Sequence, residues 1–526
     1  MKKKAVVSML IYLATALFLL SSISISGWAQ GKPTPTKSSG PRYGGTLRIA
    51  EQSEGFSIGF PPKMVRLLAY TMRQAVPAIE PLFRTDKTGK PAPWLATEYK
   101  EDAAGKAITL TLRKGVKFHD GTNFNAEAVK WNLDQCISAK SAGSEKFKSI
   151  DVINDYAVRI NLTEWDSTVI SSLASNIGMI ISPIAFKKNG EEWASNNPVG
   201  TGPFQFVSMQ KDIKTTYKKF DGYWQKGKPY LNGVEWNIIE DTNTRQMSFR
   251  AGELDIALSI AAKDVASLEK GGFVVFRHRQ GSGAASLIFD SANPNSLFAN
   301  LKVRQAAQYA IDTEAIVKSL FFGEYEAANQ YIYKGHWAYN PSLIGYPYNP
   351  SKAKQLLTEA GYPNGFKTKL TYLTTVENDQ TFTAVQNYLK AVGIDAQMDP
   401  VQTAKYGEIA YNGGKWDGLI YNPASPNPDV AGILAGRYTG GGKFFASMLV
   451  PDDYLKAIQN AVTAPNFDGK QKNTQEAMKL MIDKYCLMIM LLSKSDLVAG
   501  KTNVHNHGFM ESPQTAWWTP EDAWLE

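Results

Sequence analysis

Cysteine is scarce in this chain. Only Cys136 and Cys486 occur among its 526 residues. Each lies in an apolar segment with a helical pattern, and free cysteine is among the residue types most often buried. We therefore predict two buried free thiols, although an oxidising compartment would also permit a disulfide between them.

Potential metal ligands are few as well. The chain has five histidines, and no group of histidine, cysteine and acidic residues converges in the sequence. His119 lies beside a turn, and His505 and His507 are two positions apart, a spacing that does not share a helix face. We expect no bound metal and no cofactor.

A concentrated positive charge is also missing. The net charge is +8, and Lys2, Lys3 and Lys4 account for three of these charges, so about +5 remains without the first residues. No dense block of lysine and arginine occurs elsewhere, which argues against nucleic acid as a partner. Mild basicity of this kind favours solubility or a weak attraction to anionic surfaces.

Long apolar runs are confined to the N-terminus. Three lysines precede an apolar run at residues 5–20, and Gly27 and Ala29 supply small residues at the positions that a signal peptidase reads. We predict a signal peptide at residues 1–29 and a flexible linker at residues 30–42, with an uncleaved membrane anchor as the alternative. No second run is long enough to cross a bilayer.

The remaining chain alternates strand and helix patterns. Residues 107–112 and 158–162 have the period of strands, and residues 126–139 have the pattern of a helix with Asn125 as its N-cap. A strand, a helix and another strand are again predicted between residues 370 and 398. This alternation predicts α/β units on a largely parallel sheet, and about 480 residues predict two or three domains.

Several segments resemble one family, and they occur in that family's order. The sequences are GGTLRIA at residues 44–50, ITLTLRKGVKFHDGTNFNAEAVK at 108–130, PVGTGPF at 198–204, VRQAAQYAID at 303–312 and YNPSKAKQLLTEAGY at 348–362. They resemble the extracytoplasmic solute-binding proteins of family 5, which are the dipeptide, oligopeptide and nickel receptors of ABC importers. Several motifs in order are more specific than any one of them.

The resemblance implies an α/β, two-lobed type II periplasmic-binding-protein fold with an extra inserted domain. Lobe I would comprise residues 43–80, 198–280 and 493–526, the inserted domain residues 81–197, and lobe II residues 281–492. It also places the two cysteines in different domains. The implied mechanism is capture of a solute between the lobes, followed by hinge closure, with no enzymatic step.

The resemblance also implies partners and a location. We expect a small-molecule solute or peptide as the ligand, an ABC permease with its ATPase in the inner membrane as the partner, and a monomeric receptor. No cysteine stands at the predicted cleavage site, so we expect a free periplasmic protein and not a lipoprotein. A chaperone-like second role exists in this family and would be compatible with transport.

One segment departs from the family pattern. Peptide receptors of the family commonly have an early aspartate here that pairs with the amino group of the peptide, followed by Asp-Pro. Residues 416–429 read WDGLIYNPASPNPD, with Tyr421 and Asn422 where Gly-Trp is expected and no clear counterpart of that aspartate. A buried ammonium without a counter-charge is costly. A peptide remains the first expectation, and an oligosaccharide or an organic acid is the alternative.

Candidate ligand-binding residues lie in three loop-like regions bordering the implied cleft. Open α/β sheets present ligand sites in such loops. The candidates are Glu54, Ser57, Tyr331, Tyr333, His336, Trp337, Trp416, Tyr421, Asn422 and Arg437. If the cargo were a metal chelate, as in the nickel receptors, His336, His505 or His507 would be the available histidines.

Two short patterns suggest other chemistry. The sequence GFSIG at residues 55–59 satisfies the nucleophile pattern of a secreted serine hydrolase built on Ser57, but Pro61 and Pro62 would disrupt the helix that this motif needs. The glycine-rich residues 440–443 fail as a phosphate-binding loop because Arg437 and Phe444 replace the required glycine and hydroxyl residue. We expect no catalytic residue.

Overall fold

The structure is a computed structural model that describes residues 40–64, 68–278, 283–423, 429–440, 443–509 and 517–526. The chain divides into two compact units, Met1–Gly40 and Pro41–Glu526, and all of the sheets and helices described lie in the second. The predicted signal peptide lies outside the described residues, as does nearly all of the predicted linker. Among the described helices, none is both long enough and apolar enough to cross a membrane.

The largest sheet, which we call sheet I, has seven strands drawn from distant parts of the chain. In its central strand, Thr46–Glu51, Thr46 is exposed, Arg48 is half-buried and the other four residues are buried. In spatial order the strands are Phe204–Gln210, Lys214–Lys219, Gly233–Ile238, Thr46–Glu51, Ile256–Ala257, Asp496–Gly500 and Val274–His278.

A second sheet, sheet II, has six strands from the later part of the chain. Its strand Met488–Ser493 is buried along its whole length, as is typical of a strand covered on both faces. In spatial order the strands are Glu326–Ala327, Met488–Ser493, Ala285–Phe289, Leu419–Asn422, Phe366–Leu373 and Ile394–Val401.

Sheet III is antiparallel and has four strands. The strand pair predicted at residues 107–112 and 158–162 is found in it, with Ile108 opposite Ile160. In spatial order its strands are Ala96–Asp102, Ala107–Leu112, Ala157–Leu162 and Phe147–Asn154. Three small strand pairs complete the described strands: Glu80–Pro81 with Met179–Ile180, Phe83–Thr85 with Pro91–Pro93, and Val504–His505 with Trp524–Leu525.

The helix predicted at residues 126–139 is found at Ala126–Ser138. Asn125 caps the helix Ala126–Ser138 by accepting a hydrogen bond from the Ala128 amide. Gly361, at φ 93°, follows the helix Pro350–Glu359. The other described α-helices are Leu68–Ala75, Val169–Ser172, Pro183–Asn189, Glu191–Asn196, Thr242–Arg250, Val265–Lys270, Leu301–Tyr309, Thr313–Leu320, Val376–Ala391, Thr403–Tyr411, Val430–Arg437, Asp452–Val462 and Phe467–Lys479.

Five short helical turns complete the described helical structure. Four of them are 3-10 turns and one is a π turn. They are Pro61–Lys63, Asn176–Gly178, Ala262–Asp264, Leu297–Ala299 and, as the π turn, Leu480–Lys484.

The prediction of largely parallel sheets is wrong. In sheet II only the pairs around Phe366–Leu373 are parallel, and in sheet I only the two pairs made by Thr46–Glu51 are. The physical reason is connectivity. Hairpins such as Phe204–Gln210 with Lys214–Lys219 pair antiparallel, and the late strand Asp496–Gly500 inserts antiparallel between two earlier strands.

The chain passes between sheets I and II twice. One passage runs from His278 to Ala285 and the other from Ser493 to Asp496. His278 pairs with Asp496 in sheet I, and Ala285 pairs with Leu492 in sheet II. The two passages therefore lie side by side where they leave each sheet.

Both cysteines are free and buried, as predicted. Cys136 lies in the core around sheet III and Cys486 in a core cluster that spans sheets I and II. Burial raises the pKa of each thiol to about 12. A thiol held in its protonated form is a poor nucleophile and a poor metal ligand.

Candidate ligand-binding site

Sheets I and II are joined at the edges where their parallel strands end. In sheet I the parallel strands end at Glu51, Ile238 and Ala257, next to the start of the returning strand at Asp496. In sheet II the parallel strands end at residues 373, 401 and 422, next to the start of the strand at residue 285. Both chain passages join these edges. Ligands of open α/β sheets bind outside the carboxyl ends of the strands, so this junction is the candidate site.

The edge of sheet I carries buried charges. Glu51 is fully buried and accepts a hydrogen bond from Arg73 Nη1 at 2.8 Å. Burial raises the pKa of the Glu51 carboxyl, and the positive charge of Arg73 offsets part of that rise. Ser259 Oγ donates to the same carboxylate at 3.3 Å. This edge therefore holds a paired charge in a water-poor environment.

A neighbouring arginine fixes the ends of two strands of sheet I. Arg245, in the helix Thr242–Arg250, is fully buried. Its guanidinium donates to the carbonyl oxygens of Ile239, Leu258 and Ser259 at 2.6, 3.1 and 3.3 Å. These carbonyls follow the last residues of their strands. The loops around the carboxyl edge are thus tied together.

The loop after strand Thr46–Glu51 contains the candidates Glu54 and Ser57. Glu54 Oε2 accepts a hydrogen bond from the Asp212 amide at 3.1 Å. Glu54 Oε1 and Ser57 Oγ are both inaccessible to solvent and have no hydrogen-bond partner within the described residues. Burial raises the pKa of the Glu54 carboxyl. Buried polar atoms without partners are rare, so this loop has capacity to bind a polar group.

Around Asn422, the edge of sheet II is neutral, whereas Glu377 pairs with Lys494 elsewhere at this edge. The Asn422 amide is fully buried, and its Nδ2 donates to Ser286 Oγ at 2.8 Å and to Tyr438 OH at 2.9 Å. Its Oδ1 has no hydrogen-bond partner within the described residues. Tyr331 is also fully buried and packs edge-on against Tyr438. The polar groups around Asn422 are therefore hydroxyl and amide groups.

Tyr333, His336 and Trp337 meet a different part of the chain. Tyr333 OH donates to the Lys87 carbonyl at 3.1 Å, and the Trp337 amide donates to the Thr88 carbonyl at 2.9 Å. The His336 ring packs so closely on Gly89 that a Cβ there would lie 2.1 Å from Nε2. These three side chains are buried against a turn of the chain, and a role in binding the solute stays a prediction for them.

Trp416, Tyr421 and Arg437 are distributed around sheet II. Tyr421 packs edge-on against Phe382 in the core cluster that spans sheets I and II, and Trp416 packs against Phe445 in the other cluster of sheet II. The Arg437 guanidinium lies 5.4 Å from the ring centre of Phe444. The structure therefore does not bring these three together with Glu54 and Ser57, and their role in binding stays a prediction.

The loop that contains Ser57 lacks the scaffold of a hydrolase. Ser57 has φ 58°, but the residues after it form a turn and then the 3-10 helix Pro61–Lys63. The nucleophile pattern requires an α-helix directly after the serine. Hydrogen bonds from Gly55 to Gln74 and from Phe56 to Thr71 instead tie the loop to the helix Leu68–Ala75.

His505 and His507 pack against aromatic rings. His507 packs edge-on against Phe276, and His505 stacks on Trp524. Burial lowers the pKa of His119 and of His507 to about 4, so both are neutral at physiological pH. No group of three potential metal ligands occurs within the described residues.

Sequence reasoning missed four residues of this region: Glu51, Arg73, Arg245 and Tyr438. Glu51 ends a recognisable strand, so its position at a carboxyl edge could have been inferred from the pattern. Nothing in the sequence marks Arg73 as its partner, because the pair forms between a strand and a helix that no local motif connects.

The double passage and the facing carboxyl edges define a solute-binding protein of the type II periplasmic-binding-protein fold. Solved structures share this fold. The periplasmic binding protein DppA from Helicobacter pylori, in complex with the peptide STSA, aligns with a TM-score of 0.72 at 23% identity, over 92% of this chain and 99% of that one. The binding protein AgaA from Agrobacterium tumefaciens, in complex with agropinic acid, aligns with a TM-score of 0.71 at 24% identity over the same shares.

The family is shown by sequence. A family model described as bacterial extracellular solute-binding proteins, family 5 Middle, matches residues 90–445. The glutathione-binding protein GsiB of Escherichia coli O1:K1 is 37% identical over 363 residues, which is 66% of this chain and 69% of GsiB. This chain belongs to the family 5 extracellular solute-binding proteins. It is a non-enzymatic receptor of an ABC importer, as the sequence motifs predict.

Proposed function

We propose that the chain is a peptide receptor that closes over its ligand at the junction of sheets I and II. In this proposal lobe I comprises residues 43–80, 198–280 and 493–526, and lobe II comprises residues 281–492. The inserted domain comprises residues 81–197. The observation that carries the proposal is the pair of passages that leave the same two sheet edges side by side, because two adjacent connections between lobes allow one lobe to rotate against the other.

The structure offers a replacement for the missing amine-pairing aspartate. Glu54 lies in the loop at the carboxyl edge of sheet I and has one carboxylate oxygen, Oε1, without a partner in the described residues. An ammonium group placed there would gain a charge-assisted hydrogen bond and would satisfy a buried acceptor. We assign Glu54 as the residue that pairs with the amino group of the ligand, and Ser57 Oγ as a neighbouring hydrogen-bonding group.

The likeness to GsiB supports a peptide. GsiB is named for glutathione, and DppA was solved with a tetrapeptide, STSA. The neutral edge of sheet II would then receive the uncharged part of the ligand. Of the two runner-up ligands, an oligosaccharide and an organic acid, the uncharged oligosaccharide is favoured by the Asn422, Ser286 and Tyr438 group, since hydroxyl and amide groups recognise neutral polar atoms.

The location and the transport partner follow from this role. We propose that residues 1–29 are removed on secretion and that the mature receptor is free in the periplasm, without a lipid, as a monomer. The closed receptor would deliver its solute to an ABC permease with its ATPase in the inner membrane. A ligand drives this closure only to the extent that it binds the closed form more tightly than the open form.

Calorimetric titration of residues 30–526 tests the proposal. The solutes are reduced glutathione, the dipeptide Met-Leu, N-acetyl-Met-Leu and maltotriose. Glu54→Gln should weaken binding of the free-amine peptide by roughly ten- to a hundredfold, the equivalent of one hydrogen bond to a charged group. Binding of the N-acetylated peptide should not change between the two proteins.

Asp212→Asn is the matched control for Glu54→Gln. Asp212 is the neighbouring acid. Its backbone amide donates to Glu54 Oε2, and its carboxylate acts on Glu54 through its charge without a hydrogen bond to it. Its side-chain substitution should leave every affinity unchanged. Heat released with maltotriose alone would support the neutral-ligand alternative. Equal losses with free and acetylated peptides would contradict the assignment of Glu54.

A further inference from the structure

A second contact joins residues 81–197 to the part of the chain that carries sheet II, and it centres on Ser167. All three polar groups of Ser167 bond across this contact. Its amide donates to the Val462 carbonyl at 2.8 Å, and its Oγ donates to the Ala461 carbonyl at 3.0 Å. Its own carbonyl accepts a hydrogen bond from Lys470 Nζ at 3.0 Å.

These bonds cap a helix from outside. The helix Asp452–Val462 ends at the contact, and the last carbonyls of any helix have no partner within it. Ser167 satisfies two of them, and Trp165 Nε1 donates to the following Ala464 carbonyl at 2.8 Å. At this helix end the donors therefore come from one domain and the acceptors from another, while the Lys470 bond runs in the opposite direction. Water can replace such donors when the two separate, so the contact can open without leaving carbonyls buried and unpaired.

Lys470 ties the contact to the rest of sheet II. Its side chain is 4% exposed, and its ammonium pairs with Asp429 Oδ2 at 2.5 Å. Asp429 in turn caps the helix Val430–Arg437 by accepting from the Gly432 amide. The helix follows the strand that carries Asn422. The buried Lys470 ammonium thus bonds to residues on both sides of the contact. Through Asp429 it is also connected to the helix Val430–Arg437.

A turn makes the second half of the contact. Residues 86–90 connect the strands Phe83–Thr85 and Pro91–Pro93, and Asp86 Oδ1 holds the turn by accepting from the Thr88 and Lys90 amides. The turn fits against Tyr333, His336 and Trp337, as described above. Lys90 Nζ lies 4.4 Å from the ring centre of Phe467. Both halves of the contact therefore depend on main-chain hydrogen bonds and on cations over aromatic rings.

The two domains do not share one hydrophobic core at this contact. The buried apolar residues around sheet III form one cluster, and those on this side of sheet II form another. Between them, a cavity of about 20 Å³ is lined by Tyr99, Glu101 and Ser167 on one side and by Trp337, Phe467 and Lys470 on the other. Such a volume holds about one water molecule. Polar, imperfectly packed contacts between domains are those that separate and re-form.

We propose that this contact is a closure latch, in which residues 165–167 and the turn at residues 86–90 hold the inserted domain against lobe II and Lys470 is the central group. The proposal rests on the hinged receptor described above. It assigns Lys470 a positioning role at a distance from the solute. Closing the lobes would form the latch, and its bonds would add to the free energy that the ligand supplies.

The test compares ligand-free wild-type protein with Lys470→Met and Trp165→Phe by residue-resolved hydrogen exchange and small-angle X-ray scattering. The Ser167 amide, bonded across the latch, should exchange about tenfold faster in Lys470→Met, the effect of losing one hydrogen bond to a charged group. The Ser172 amide, bonded to Thr168 within its own segment, should not change. The radius of gyration should rise in both variants.

Lys472→Met is the matched control, since Lys472 lies on the same helix and is exposed. It should behave as wild type. Trp165→Phe acts from the opposite side and leaves the Lys470 pair intact, so it keeps the test decisive if Lys470→Met does not fold. Unchanged Ser167 exchange in a folded latch variant would overturn the proposal, as would an equal rise for the Ser172 amide.

The latch and the proposed function fail in different ways. A wild-type protein whose radius of gyration does not fall with reduced glutathione, with Met-Leu or with maltotriose would contradict closure over these ligands. The exchange experiment in ligand-free protein would still report on the latch. Conversely, compaction by ligand in a Lys470→Met protein with wild-type affinity would overturn the latch and leave the receptor function standing.

Discussion

The two edges that meet at the candidate site differ in charge. The edge of sheet I holds Glu51 and Arg73 as a buried ion pair, and Glu54 lies in the loop that follows the strand of Glu51. The edge of sheet II holds Asn422, hydrogen-bonded to hydroxyl groups alone. Around Glu51 and Asn422, lobe I of the proposed receptor therefore contributes a charged pair and lobe II contributes neutral hydrogen bonds. Elsewhere at the junction, Glu377 of lobe II pairs with Lys494.

This difference bears on how a family can change its ligand. Recognition of an amine requires one carboxylate in a water-poor place, and either edge of the junction can supply it. If Glu54 supplies it from lobe I, the loss of an aspartate from lobe II changes the geometry of binding without abolishing it. If no acid supplies it, the ligand is neutral or anionic. The predictions below test the charged edge first.

The largest expected effect comes from breaking the charged pair. Arg73→Met leaves the fully buried Glu51 carboxylate without its cation. Removing one partner of a buried ion pair typically costs about 3–5 kcal/mol of unfolding free energy. Urea denaturation of residues 30–526 at pH 7 should show this loss as a lower midpoint.

The double variant Arg73→Met with Glu51→Gln is the control for that loss. It removes both charges and should recover much of the unfolding free energy, since a neutral pair carries no uncompensated charge. A double variant that is no more stable than Arg73→Met would show that the loss comes from packing around Arg73 and not from charge.

The second largest expected effect is a dependence of the unfolding free energy on pH, which comes from two buried histidines. His119 and His507 have pKa values of about 4 in the folded protein, lowered from 6.5 by burial. The unfolded chain therefore binds more protons between these values, and stability should fall as the pH drops from 6.5 to 4. For a shift of this size, each histidine accounts for about 3 kcal/mol.

His507→Gln isolates one of these contributions. The difference in unfolding free energy between wild type and variant should shrink or reverse as the pH falls, because the variant no longer has that group to protonate on unfolding. Denaturation curves at pH 7, 6, 5 and 4.5 measure it, and subtraction removes the contribution of carboxyl groups common to both. A difference that stays constant across these values would contradict a buried neutral His507.

Local features of the fold were predictable from the sequence. The cap at Asn125 depends on residues within a few positions, and it is found. The pairing of residues 107–112 with the strand at 157–162 is found as well. In these cases the period and the capping residues carry the information.

Features made by distant residues were not predictable. The strand Asp496–Gly500 inserts between Ile256–Ala257 and Val274–His278, and no local signal in it shows that it pairs antiparallel with both. The aromatic residues at 331–337 are predicted to line the cleft because aromatic side chains are typical of ligand-binding walls. The turn that covers them lies more than two hundred residues earlier, and sequence patterns do not record which surface such a turn meets.

The smallest effect concerns the neutral edge. Tyr438→Phe removes the hydroxyl that accepts from Asn422 Nδ2 at 2.9 Å, while the same nitrogen keeps its bond to Ser286 Oγ. A neutral hydrogen bond contributes about 1 kcal/mol, so we expect a loss near that value in urea denaturation. The matched variant Tyr454→Phe changes a tyrosine of the same core cluster that donates to a methionine sulfur, a weaker bond, and should cost less. If Tyr438→Phe instead changed stability by several kcal/mol, the edge of sheet II would depend on its hydroxyl as strongly as the edge of sheet I depends on Arg73, and the contrast between the two edges would fail.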